Sequence, residues 1–214
     1  MKPSASASHN TVPKKRSQSQ LDIMNAARML FLDLGYEGVS MDCIARAAGV
    51  ARQTVFNRFR SKDALFREIV AEHWADWGRK ESIEQVPHTA PVETHLRAIA
   101  LSIVAFQDNP DQIKFQRLVV SESRRFNWIG PASYQAGKGP RMAAFGQHLR
   151  KLDAEGRLNC KQPDIAAWQF VGLIQELLVW PEVMAIGVQG GVIPSAEVVV
   201  DEAIATFMAR YKPG

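Results

Sequence analysis

The sequence predicts an all-α fold in which a small basic helical head precedes a larger helical bundle. Three observations carry this. Apolar residues recur at three- and four-residue intervals along most of the chain. No segment alternates convincingly with a period of two. Ser, Asn, Pro and Gly stand where helices begin and end. Val198-Val199-Val200 is β-branched enough to suit a strand, but Ala203, Ile204, Phe207 and Met208 behind it restore helical spacing. About nine helices are expected.

Residues 1–16 contain Ser, Pro and Lys but almost no bulky apolar side chains, so they are expected to form a disordered basic arm. A first helix follows from Gln18 to Leu34, with Leu21, Ile23, Met24, Ala27, Leu30 and Phe31 at helical spacing and Gly35 ending it. Ser40 caps a short helix from Met41 to Ala48. Gly49-Val50 turns the chain into a third helix, Arg52 to Phe59. Ser61 caps a fourth that runs past Trp74 towards Lys80, with Asp63 favouring the positive end of its dipole. Beyond the prolines at 87 and 91, Pro91 opens a helix through Phe106, and Asn109-Pro110 opens another through about Phe126. Pro131 and Gly137-Lys138-Gly139-Pro140 punctuate a stretch continuing to Leu152. Pro163 opens an apolar helix ending near Trp180-Pro181, and Pro194 precedes the last, through Tyr211. The expected units are 17–62, a helix-turn-helix domain, and 63–214, a bundle for ligand binding and dimerisation.

Composition narrows the function classes. A chain of 214 residues, 46% hydrophobic and 22% charged, has the make-up of an ordinary globular protein. No apolar run approaches the ~20 residues that cross a bilayer. The basic N-terminus lacks the apolar stretch of a secretory signal, so a cytoplasmic location without a membrane partner is expected. Cys43 and Cys160 lie far apart without metal-ligand spacing and read as reduced thiols. Net charge is +4 overall, yet residues 1–62 carry ten Lys/Arg against four Asp/Glu, leaving −2 for the rest. A basic end on a mildly acidic body suits nucleic acid, or is simply a solvated surface.

The segment from Ser40 to Phe59 decides between these. Two short helices that cross closely need a small residue at the crossing, which Ala45 supplies, and a turn comfortable at positive φ, which Gly49 supplies. Val55 locks the pair, with Ile44, Val50 and Phe59 completing a mini-core. An ordinary αα-corner shares this spacing. The outward face separates the two: Arg52, Gln53, Phe56 and Asn57 lie opposite Val55 and Phe59. Arg offers a bidentate fork to guanine, while Gln and Asn pair with adenine. Thr54 and Arg58 flank that face, and no acidic residue lies between Ala51 and Lys62. Ser40 and Lys62 are placed for backbone phosphates.

These residues resemble the TetR family of transcriptional regulators. The run GYEGVSMDCIARAAGV over 35–50, continuing as ARQTVFNRFRSKDALF over 51–66, looks like that family's signature, and the likeness covers 18 to about 70. FQRLVVSESRRF over 115–126 is similar to the AefR-like C-terminal domain, and PDIAAWQF over 163–170 supports the same subgroup. The resemblance implies a homodimer on a near-palindromic double-stranded operator, with a pocket for an unnamed small-molecule effector that controls DNA affinity. It implies Arg52, Gln53 and Asn57 as base readers, with Ser40, Thr54 and Lys62 on phosphates. Phe56 stands where the family usually has Tyr, and Ala51 where it usually has Ser or Thr, an N-cap worth ~1 kcal/mol.

Lys14-Lys15-Arg16 either enters the minor groove or lies along phosphates, or is a solubilising tail. Trp168, Phe170, Leu173, Ile174 and Leu177, with Leu178, make an apolar helix too greasy for a surface. With Ile204, Phe207 and Met208 they match a four-helix dimer interface, some of them shared with the protomer core. Trp74, Trp77, Phe106, Phe126, Trp128, His148 and Gln175 lie in the helices that would surround a pocket; all but Trp74 are taken as its lining. Arg124 and Arg125 either meet an anionic ligand or pair with local acids. An enzyme is the rival class, but no glycine-rich phosphate loop, zinc spacing or nucleophile elbow is present, so no catalytic residue, metal or cofactor is expected. A non-specific DNA-coating protein would need a broader basic surface than a body of −2 provides.

Overall fold

The computed structural model of the protein describes residues 16–80, 86–186 and 194–214, the side chains of 76–80 and 106–107 excepted. Its described residues are helical, with no strand among them. The head consists of α1 (Gln18–Leu34), α2 (Met41–Ala47) and α3 (Arg52–Phe59). The long α4 (Lys62–Lys80) leads into α5 (Val92–Gln107), α6 (Pro110–Ser123), α7 (Ile129–Ala136) and α8 (Lys138–Ala154). The body closes with α9 (Pro163–Leu178), the one-turn α10 (Trp180–Val183) and α11 (Ala196–Tyr211).

Short polar side chains start these helices, as the sequence suggests. Ser17 Oγ accepts from Gln20 N at 3.4 Å, Ser40 Oγ from Cys43 N at 3.1 Å and Ser61 Oγ from Ala64 N at 3.1 Å. Asn109 Oδ1 accepts from Asp111 N at 3.0 Å, with Pro110 at the first helical position. Ser195 Oγ does the same for Val198 N at 3.3 Å, and the valine run beyond it is helical, with Val199 and Val200 buried and Val198 exposed.

Three boundaries differ from expectation. The helix from Pro110 stops at Ser123 rather than Phe126. There Ser121 Oγ donates to Leu118 O and Ser123 Oγ to Val119 O, hydroxyls competing with the backbone ladder. The chain then turns so that Phe126 and Trp128 swing onto the head. The stretch expected to continue to Leu152 divides into α7 and α8 at Gly137, and a separate turn, α10, follows α9. Of the expected basic arm, residues 1–15 fall outside the described residues. Arg16 is tied down: its guanidinium meets Glu72 at 2.5 Å and Glu68 at 3.8 Å on α4.

The core of the body forms around α9, which packs against α8, α11, α5 and α10. Four residues of the expected interface set fall on the protomer-core side of this packing. Phe170, Ile174, Ile204 and Phe207 are buried inside the protomer, because α9 turns that side towards α8 and α11. Phe170 sits edge-on between Phe145 at 5.8 Å and Phe207 at 5.4 Å. Trp168, Leu173 and Leu177 remain exposed on the opposite side of α9, together with Ile165, and Met208 is half-buried.

Candidate nucleic-acid interface and effector cavity

The reading head is built locally. Ala45 and Val55 are buried where α2 crosses α3, with Ile44 and Phe59 around them. Val50 N donates to Ala45 O at 3.0 Å, and Gly49 takes φ of +64°, where L side chains are strained. Burying these residues leaves the other side of α3 in solvent: Arg52, Gln53, Asn57 and Arg58 are exposed, and Thr54 and Phe56 half-buried. Ala51 starts α3 with no side-chain cap, as its methyl group requires.

The exposed side chains constrain one another. Gln53 Nε2 donates to Asn57 Oδ1 at 2.8 Å, linking two of the expected base readers one turn apart. Arg52 Nε lies 2.7 Å from Asp42 Oδ1, and its guanidinium sits 5.3 Å from the centroid of the Phe56 ring. Sequence reasoning missed Asp42. It found no acid within the segment 51–62, but the acid comes from the first turn of α2, a neighbour only once the two helices cross.

Lys62 occupies a more enclosed place than its expected phosphate role suggests. Nζ donates to Tyr36 O at 2.8 Å and Val39 O at 2.9 Å, and lies 4.3 Å over the Tyr36 ring. Burial pulls its pKa below the usual lysine value. Tyr36 is the hub of the joint between head and body. Its hydroxyl donates to Asp63, and burial together with that bond pushes the phenol up. Its ring packs against Phe31, Phe66, Phe126 and Trp128 at 4.8–5.7 Å. Its backbone N–H donates to Glu122 Oε1 on α6 at 3.1 Å. The preceding Gly35 holds φ of +74°, and a Cβ there would sit 2.6 Å from that same carboxylate oxygen. Arg125 pairs with Glu37 across the joint rather than facing a ligand.

A cavity of about 180 Å³ lies in the body, walled by α4, α5, α6, α8, α9 and α10. Of the residues expected to line it, Gln175 does. Phe126 and Trp128 do not, since they belong to the Tyr36 cluster. His148 does not either. Its ring lies 4.8 Å from that of His95, and burial, then His95, His88, Lys151 and Arg157, push its pKa down to about 4. The side chains of Trp77 and Phe106 lie outside the described residues. Trp74 is a wall of the cavity, alongside Phe145, Trp180 and aliphatic side chains. Lys138 and Arg141, which sequence reasoning missed, also line it. Their i, i+3 spacing is visible in the sequence, but not that their face of α8 points inward. Lys138 Nζ donates to Gln175 Oε1 at 3.2 Å and lies 4.7 Å from the Trp168 ring. Arg141 Nη2 donates to Trp74 O at 2.8 Å, and burial pushes its pKa down to about 10.

Two helices run from this cavity to the head. α4 carries Trp74 in the wall and Phe66 in the Tyr36 cluster. α6 carries Gln116 in the wall and Glu122 on Tyr36 N. Arg117 of α6 also donates to Glu182 O at 2.5 Å and Val183 O at 3.2 Å, clasping α10 at the cavity rim.

Comparison with known proteins agrees with this architecture. Residues 23–69 match the model of bacterial regulatory proteins of the TetR family, and 94–213 that of the AefR-like transcriptional repressor C-terminal domain. A Mycobacterium tuberculosis protein named as the mycofactocin biosynthesis regulator MftR is 32% identical over 98 residues, 46% of this chain and 48% of its own. The chain spans about half the length of the curated relatives it matches. Among solved structures, a TetR-family regulator from Mesorhizobium loti MAFF303099 is 27% identical, with TM-score 0.77 over 92% of this chain and 100% of that one. The flavonoid-responsive regulator FrrA is 26% identical, with TM-score 0.79 over 92% and 98%. The match to the AefR-like domain alone takes in more than half of the residues, and this protein belongs to the TetR family of bacterial regulators.

Proposed function

We propose that the protein is a homodimeric transcriptional repressor that binds a near-palindromic operator and leaves it when a small molecule fills the cavity. The observation that carries this reading is the α3 face, where Arg52, Gln53 and Asn57 stand in solvent on a helix whose other side is locked by Val55 and Phe59. Those three would read base edges in the major groove, and Ser40, Thr54, Arg58 and Lys62 would hold the flanking backbone. Phe56 would keep the Arg52 fork flat and aimed. Residues 17–62 would form the reading unit and 63–214 the sensing and dimerising one. The role is binding rather than catalysis, and it is exercised on cytoplasmic DNA.

A second copy is needed because one helix-turn-helix covers only a half-site. The exposed stripe of Ile165, Trp168, Leu173 and Leu177 on α9 suits that contact, and Gly172 within it leaves room for close approach. Ligand control is supported by α4 and α6, each of which spans from cavity wall to Tyr36. A ligand favouring one setting of these helices would favour one spacing of the two heads.

Light scattering of the free protein and of its complex with a selected duplex tests the assembly. A dimer at micromolar concentration and two protomers per inverted repeat are expected. A monomer on a single, unrepeated site would overturn the proposal.

A further inference from the structure

The cavity is mostly apolar, with Ser102, Gln116 and Gln175 as its neutral polar groups, and its charged side chains are both cationic and both on α8. Lys138 and Arg141 stand three residues apart in the first turn of α8, so they share a helix face. The acceptor recorded for Lys138 is the neutral Gln175 Oε1. Among the described residues no carboxylate lines the cavity and Lys138 has no acidic partner. Arg141 lies one turn along, its guanidinium 5.2 Å from the Trp74 ring. A half-desolvated ammonium with only a neutral acceptor, as at Lys138, is stabilised by an anion brought in with its own apolar body. The nearby Ser102 hydroxyl donates its proton to Ile99 O at 2.7 Å, which leaves it only acceptor capacity.

We infer that the effector is a small organic monoanion, a carboxylate on a compact apolar body, with its charged end on Lys138 and Arg141 and its body among Trp74, Phe145 and Trp180. This rests on reading the cavity as the effector site. Size follows from the volume, about 180 Å³, against the ~300–1,000 Å³ of ordinary small-molecule clefts. A multiply charged phosphate suits the site poorly, because two cations among hydrocarbon and indole walls cannot replace its hydration.

Calorimetric titration of the full-length protein with matched pairs tests this: benzoate against benzamide, 2-naphthoate against 2-naphthamide, octanoate against octanamide, and inorganic phosphate alone. The acid of at least one pair is expected to bind about tenfold or more tighter than its amide. Phosphate is expected not to bind. Lys138→Met should narrow the preference for the acid severalfold, and Lys138→Arg should keep it; melting curves check that each variant folds. Equal binding of acids and amides to the unaltered protein would overturn the anion assignment while leaving the cavity as a ligand site. No binding by any acid or amide would overturn both readings. Phosphate binding as tight as that of the best acid would overturn the apolar-body assignment.

Discussion

The reading head and the cavity each use an arginine beside an aromatic ring, in opposite surroundings. Arg52 stands with 67% of its side chain exposed, next to Phe56 and the half-exposed Asp42. Arg141 lies against Trp74 where burial pushes its pKa down to about 10. In water a guanidinium is screened and can trade Asp42 for a base or phosphate at little cost. Within the cavity the same kind of group is costly to desolvate, and there it is held by the Trp74 carbonyl and ring. On the proposed reading, the head exchanges between solvent and DNA and the cavity selects one small molecule. Between them, Tyr36 and Glu122 make the joint that links the two regions.

Substitutions can separate the regions, and the largest effect is expected in the body. Phe170→Ala, deep in the α8–α9–α11 core, should cost about 3–5 kcal/mol in denaturant unfolding. Leu177→Glu, exposed on the same helix, should change protomer stability by only about 0.5 kcal/mol yet shift light scattering towards monomer. If Leu177→Glu left the dimer intact, the exposed side of α9 would not be the interface. At the joint, Gly35→Ala forces a Cβ onto Glu122 at a left-handed φ and should cost about 1–3 kcal/mol, read as a lower Tm.

The remaining effect is one of pH, and it belongs to the body. Burial, then Arg157, lowers the pKa of His95, and His148 is pushed down to about 4. Both are therefore neutral in the folded protein at pH 7. Below about 6.5 the unfolded chain takes up protons that the folded chain refuses. Stability should fall as pH drops from about 6.5 towards 4 and level off once His148 itself titrates. Thermal melts across that range should show the slope, and His148→Gln should flatten it. An unchanged slope in that variant would remove His148 from the account.

The same contrast explains what could be read from the sequence. The helix-turn-helix was legible because its contacts lie within about 20 residues, and periodicity with Ser40, Ala45, Gly49 and Val55 specifies them. The outward Arg52, Gln53 and Asn57 followed from helix geometry alone. Asp42 escaped because only the crossing of two helices brings it to Arg52. The cavity was mostly illegible because its wall draws on six helices far apart in sequence. An aromatic residue looks alike whether it faces a cavity, as Trp74 does, or fills a joint, as Trp128 does. Phe170 and Trp168 show the same limit on α9, two residues apart with one in the core and the other outside. Apolar character marked that helix as important, and only packing divided its faces.

The central claim is that the exposed face of α3 reads base sequence. Selection of bound duplexes from a random pool, run in parallel with the unaltered protein and Gln53→Ala, tests it most directly. The account predicts an inverted repeat for the unaltered protein and, for Gln53→Ala, loss of preference at one symmetric pair of positions, with a cost of about 1–3 kcal/mol at each affected base pair. An identical motif from both proteins would contradict it.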